Sequence, residues 1–91
     1  MNDTMKEALI ITQEECAEVT QAISKIMRFG ISSRYPENSS PTTKENLETE
    51  VGDLLCMIGI LVEQGIIDET KMVDAMENKR VKLQTWSDIF K

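Results

Sequence analysis

Residues 47–64 read LETEVGDLLCMIGILVEQ. Leu47, Val51, Leu54, Leu55, Ile58, Leu61 and Val62 recur at steps of three and four, which is the period of a helix face. Cys56, Met57, Gly59 and Ile60 make the second half apolar nearly all round, as expected of a helix buried on more than one side. Gly52 and Gly59 stand two turns apart on one face, where another helix could approach closely. The longest apolar run, Leu54 to Val62, is far short of the ~20 residues of a membrane span.

Upstream, Pro41 is followed by Thr42 and Glu45, a capping box that starts this helix at about Thr43. Gly65 ends it after Gln64. A first helix is expected from about Thr4 to Phe29. Thr4 and Glu7 would form its capping box, and Gly30 would end it. Its stripe is Met5, Leu9, Thr12, Cys16, Val19, Ile23 and Ile26. The connection from Gly30 to about Pro41, GISSRYPENSSP, has loop composition. Asp68 caps a third helix from about Glu69 to Trp86, with the seam Met72, Met76, Lys79, Leu83 and Trp86. The tail SDIFK is read as a further turn or an extended end. Strict alternation is absent, so the expected fold is all-α, a helical bundle in one domain over residues 1–91.

Composition narrows function. The chain has 91 residues and a net charge of −6. A chain this short buries a modest core, so self-association would supply apolar contact that one copy lacks. The acidic balance argues against a nucleic-acid polymer or an anionic membrane surface as partner. There is no histidine, which removes Ser-His-Asp and Cys-His chemistry and most zinc sites. Cys16 and Cys56 form no CxxC and sit in apolar segments, which reads as buried, inert thiols in a reducing cytoplasm. The N-terminal stretch has no basic region followed by an apolar core, so no signal peptide is expected.

The acids carry the chemistry. Glu15 and Glu18 are three apart and neighbour each other at the edge of the first stripe, continued by Ile11 and Ala22. Glu14 lies further round, beside Glu18. Glu50 and Asp53 repeat the arrangement on the second helix, with Met57 and Ile60 extending their line. Packing the two stripes would bring the pairs together. Either pair alone reads as an ordinary solvated face. Converging carboxylates repel, and at neutral pH a hard divalent cation relieves this. Oxygen-only ligands select magnesium, manganese or calcium. The chain has no calcium-loop pattern, and rigid helical carboxylates with room for water suit magnesium carrying phosphate.

On the third helix Lys79 occupies a seam position, with Asn78 adjacent and Lys82 one turn on. Lys25 lies two turns past Glu18 on the first helix. A lysine on a core-facing seam either pairs with an anion or snorkels past Met76 and Leu83. Lys25 and Lys82 divide between solvent and phosphate in the same way. Trp86 divides between core and base platform. Arg34 and Tyr35 in the connection could close over a substrate or serve no role.

The spacing Glu14-Glu15-x-x-Glu18 followed by Glu50-x-x-Asp53 resembles the EExxE…ExxD signature of MazG-type all-α nucleoside triphosphate pyrophosphohydrolases. The strings EECAEV, KIMRFG, EVGDLL and KRVKLQTW are similar to short, phage-type members of that family. The resemblance implies four-helix-type cores built by two subunits, as a homodimer or homotetramer. It implies Glu15, Glu18, Glu50 and Asp53 as magnesium ligands, manganese serving as an alternative, with Glu14 supporting the metal shell or positioning water. It implies cleavage of a (deoxy)nucleoside triphosphate between the α- and β-phosphates, in the cytoplasm of a bacterial or phage-infected cell. Lys79 and Lys82, with Lys25 or Arg28, are then reasonable phosphate partners, Asn78 lies beside them, and Trp86 or Phe29 could stack on the base. Two other readings are a non-catalytic acidic interaction module, and the same fold acting on dUTP or a phosphoribosyl-nucleotide.

Overall fold

Hydrogen bonds at the helix ends account for where each element starts and stops. The computed structural model describes every residue except Tyr35, Pro36 and Ser39. Among the described residues it contains three helices and no strand: α1 Asp3–Phe29, α2 Thr43–Glu63 and α3 Glu69–Trp86. The all-α expectation holds. None of these helices is long and apolar enough to cross a membrane.

The expected cap of α2 is present in full. Glu45 N donates to Thr42 Oγ1 at 3.1 Å, and Thr42 N donates to Glu45 Oε1 at 3.0 Å. Asp68 caps α3, accepting from Lys71 N at 3.0 Å. The start of α1 differs from expectation. Asn2, not Thr4, is the cap, its Oδ1 accepting from Met5 N at 2.8 Å. An Asn side chain already serves that orphan donor, so the helix begins earlier and Thr4 lies inside its first turn.

The connection folds back on the helix it precedes. Thr43 N donates to Ser33 O at 2.8 Å and Lys44 N to Ile31 O at 3.0 Å. Thr43, only 2% exposed, also donates its hydroxyl to Gly30 O. Gly30 takes φ +93°, a region closed to most side chains. These bonds tie the end of α1 to the start of α2, so the two helices form an antiparallel hairpin.

Within the hairpin, α1 presents a different line from the expected one. Met5, Ala8, Thr12, Glu15, Val19, Ala22, Ile26 and Phe29 are sheltered, at alternating steps of three and four, with Ile11 half-buried beside them. Leu9, Cys16 and Ile23, assigned to the stripe from sequence, are exposed instead. The buried members, Ala8 and Ala22, are small, which lets the helix backbones close on one another. On α2 the sheltered set includes Thr43, Leu47, Glu50, Leu54, Met57, Ile58 and Leu61.

Three further expectations are corrected. Helix α2 is not buried on more than one side of the single chain: Leu55 is 60% exposed, and space is open where a Cβ would stand on Gly52 or Gly59. Cys16 and Cys56 are exposed thiols, not buried ones. The α3 seam does not face a core. Met72 and Leu83 are half-buried, while Met76, Lys79 and Trp86 are exposed, and no residue of α3 is buried. The cause is common to all three: α1 and α2 pack on each other, and α3 has no comparable packing on either. The Cα radius of gyration is 16.1 Å, against about 12 Å for a compact chain of this length. The tail is a turn, with Lys91 N donating to Asp88 O at 3.0 Å.

The end bonds carry measurable stability. Thr43→Val leaves the Gly30 carbonyl without its buried donor and is expected to cost about 1–3 kcal/mol. Thr42→Ala should cost about 1 kcal/mol. Thr49→Ala, on the exposed face, should change little. Urea unfolding followed by circular dichroism measures all three.

Candidate metal centre

The hairpin seam brings acids from two helices to one place. Glu15 on α1 meets Glu50 and Asp53 on α2, one carboxylate oxygen from each lying within 4.8 Å of the others. Glu15 and Glu50 are half-buried and Asp53 is exposed. The two glutamates are members of the seam itself, more central than the stripe edge from which the sequence pattern started.

Glu18 is the member the structure holds apart. It is exposed on α1 and is not in the group of three. At three residues from Glu15 it is turned away from α2 by about 60°. Its charge still bears on Glu15. The Glu15 carboxyl is held above the ordinary glutamate range, first by desolvation and then by Asp53, Glu50, Glu18 and Glu14 in decreasing order. Glu14 is exposed and contributes through charge alone.

Among the described residues no lysine or arginine forms an ion pair with these acids. Among the described residues the one ion pair is Lys91 with Asp88, at 3.5 Å in the tail. Lys25 and Arg28 lie on α1 toward the connection, both exposed, with the Arg28 guanidinium 4.8 Å from the Phe29 ring centroid. Asn78, Lys79, Lys82 and Trp86 lie on α3, which does not deliver them to the carboxylates of its own chain. Lys79 instead borders a recess of about 350 Å³ with Met76, Glu77, Arg80, Leu83 and Phe90. There Arg80 covers the Phe90 ring at 4.7 Å. Arg34 donates to Ser40 O at 3.0 Å within the connection, and Tyr35 lies outside the described residues.

Toward the open end of the hairpin the same groove continues as a second recess, of about 220 Å³. Thr4, Glu7, Ala8, Ile11, Met57 and Ile60 line it. Ile11 is one turn before Glu15 and Met57 one turn after Asp53, so helical register carries the line from the acids into the recess. From sequence, Ile11, Met57 and Ile60 read only as apolar flanks and Glu7 only as a capping residue. The signal that could have found them is the four-residue step back from Glu15.

The donor set can be tested against a metal. Three carboxylate oxygens without nitrogen or sulfur suit a hard divalent ion. Two oxygens on opposite sides of magnesium stand roughly 4 Å apart, so a group spanning 4.8 Å closes on an ion by small side-chain rotations. Acidic clusters on exposed surfaces are common, and what separates this one is that it sits in a packed seam on two rigid helices. The sequence model of the MazG nucleotide pyrophosphohydrolase domain matches residues 3–84. The chain belongs to the MazG family. Glu14, Glu15, Glu18, Glu50 and Asp53, and most of α3, fall inside the matched span of this MazG chain. No curated protein and no solved structure matches it closely enough to add to this.

A raised Glu15 has a definite sign for stability. The folded metal-free chain binds this proton more tightly than the unfolded chain does, so stability falls as pH rises from the ordinary carboxylate range through the raised value. Glu15→Gln is therefore expected to raise the thermal midpoint of the metal-free protein at neutral pH and to leave it nearly unchanged in acid. Magnesium should raise the wild-type midpoint and not that of the variant. Melting curves at several pH values, with EDTA or with magnesium, check both.

Proposed function

We propose that this MazG chain hydrolyses (deoxy)nucleoside triphosphates to the nucleoside monophosphate and pyrophosphate, using magnesium, with manganese as a substitute. The observation that carries the reading is the convergence of Glu15, Glu50 and Asp53 across a helix seam within the span that defines the family. Glu15, Glu18, Glu50 and Asp53 are proposed as the metal ligands, Glu18 swinging in from its exposed position one turn along α1. When bound, the divalent ion neutralises phosphate charge and acidifies a coordinated water. Glu14 would orient that water or support the ligands. A half-buried position for Glu15 and Glu50 supports the reading, since charge interactions strengthen where water is partly excluded.

The same reading takes residues 1–91 as one domain that works as a homodimer or homotetramer in the cytoplasm, on the nucleotide pool. Exposed Leu55, Val51 and Ile23 on the hairpin and an unpacked α3 support self-association, because patches of this kind mark interfaces. A second copy could then bring Asn78, Lys79, Lys82 and Trp86 to the acids, with Lys25 and Arg28 supplied by α1. In this arrangement the lysines meet the triphosphate and Trp86 stacks on whichever face of the base the hairpin leaves open.

With magnesium and a mixture of dNTPs, the protein should release pyrophosphate and monophosphates, and EDTA should stop it. Production of diphosphate and orthophosphate would place the cut elsewhere. Glu50→Gln should lower kcat by about 100-fold or more with unchanged helical content; full activity in that variant would remove the metal assignment. Protein that is inert and melts without regard to magnesium would be an acidic interaction module instead. Leu55→Asp should shift sedimentation toward the monomer and reduce activity with it.

A further inference from the structure

We infer that the recess bounded by Thr4, Glu7, Ala8, Ile11, Met57 and Ile60 receives the nucleobase, and that Glu7 selects bases carrying an amino group over uracil and thymine. The inference rests on the proposed binding of a metal-bound triphosphate at Glu15, Glu50 and Asp53.

Position comes first. The recess lies beyond the carboxylates toward the N-terminus of α1 and the C-terminal end of α2. At 1.5 Å of rise per residue, Ile11 stands about 6 Å and Glu7 about 12 Å along α1 from Glu15. A nucleoside held by its 5′ phosphates at the acids spans that interval, from sugar to the far edge of the base. Size agrees. A volume near 220 Å³ is below the ~300 Å³ at which pockets enclose a whole drug-sized ligand, but it admits one heterocycle. The lining agrees as well. Ala8, Ile11, Met57 and Ile60 offer apolar walls to the ring faces, and Met is an adaptable contact for an aromatic ring.

The two polar members lie at the far end. Thr4 and Glu7 are three apart on α1, so their side chains neighbour each other. An ionised carboxylate only accepts hydrogen bonds. Cytosine and adenine present an amino group to it, and guanine presents two parallel N–H donors, a bidentate match. Uracil and thymine present a single N3–H donor flanked on both sides by carbonyl oxygens, which a carboxylate repels, so their match is poorer. Thr4 can donate or accept and so discriminates less. Glu7 makes no hydrogen bond or ion pair elsewhere among the described contacts, so its carboxylate is available at the recess.

The test separates base reading from catalysis. Binding of dCTP, dGTP, dTTP and dUTP is measured by calorimetry with calcium in place of magnesium, for wild type and Glu7→Gln. Pyrophosphate release from the same four is measured with magnesium. Glu7 is exposed, so the variant should fold, and circular dichroism checks it. Wild type should favour dCTP and dGTP over dTTP and dUTP by tenfold or more. Glu7→Gln should collapse that ratio toward unity, since an amide offers both donor and acceptor, while inorganic triphosphate inhibits both proteins equally. If binding shows the ratio and its collapse without any hydrolysis, base reading stands and the catalytic reading fails. If hydrolysis proceeds and Glu7→Gln leaves the ratio unchanged, or if wild type favours dUTP, the assignment of Glu7 is overturned while the reaction stands. If none of the four nucleotides binds, both fail.

Discussion

Glu15 and Glu50 are like charges brought together in the seam that packs α1 against α2, the most extensive helix contact among the described residues. The seam is what α1 and α2 have in common, and apolar contact along Val19, Ile26, Leu47, Leu54 and Leu61 must hold it closed against that repulsion. Seam acids with no lysine or arginine beside them are a poor choice for stability alone. Their retention in a packed position makes sense if a cation from solution completes the structure. The raised carboxyl of Glu15 is the same fact expressed in protons: in the absence of metal, the site draws a proton more strongly than a surface glutamate does.

The rest of the hairpin serves to keep this arrangement in register. Thr43 is nearly inaccessible, and its hydroxyl and amide both bond to the connection. That clamp fixes where α2 begins relative to the end of α1. Because both helices are rigid, the register at the clamp decides which residues meet about four turns back along α1 and two turns on along α2. Glu15 is fourteen residues before Phe29, and Glu50 is seven after Thr43. A slip of one residue in the connection would rotate one of the acids out of the seam. Ala8 and Ala22 act in the same sense by allowing close approach on either side of Glu15.

Helix count, helix ends and the acids were legible in the sequence because each leaves a local mark. Thr42 with Glu45, Asp68, Gly30 and Gly65 mark ends, and acids three apart leave a spacing. The rotation of α1 was not legible. Leu9, Cys16 and Ile23 give a stronger apolar signal than Ala8, Glu15 and Ala22, yet the latter take the seam; Ala8 and Ala22 are small enough to let the backbones approach, and Glu15 follows them by register. The environment of α3 was not legible either. Its pattern of Met72, Met76, Leu83 and Trp86 says that a face is apolar and leaves open which surface covers it. The position of Glu18 depends on a side-chain direction at the rim, which spacing alone does not decide. Glu7 was hidden because a capping role accounted for it until Asn2 proved to be the cap.

Helix α3 spans eighteen residues and buries none of them. An isolated helix of that length is marginal in water, because nucleation is costly and lateral packing normally supplies the missing stability. Asp68 at its start contributes only a cap. Met76, Val81 and Trp86 stand exposed on it, so any surface that covered that face would add to the stability of the helix itself, and its helical content should rise with such cover.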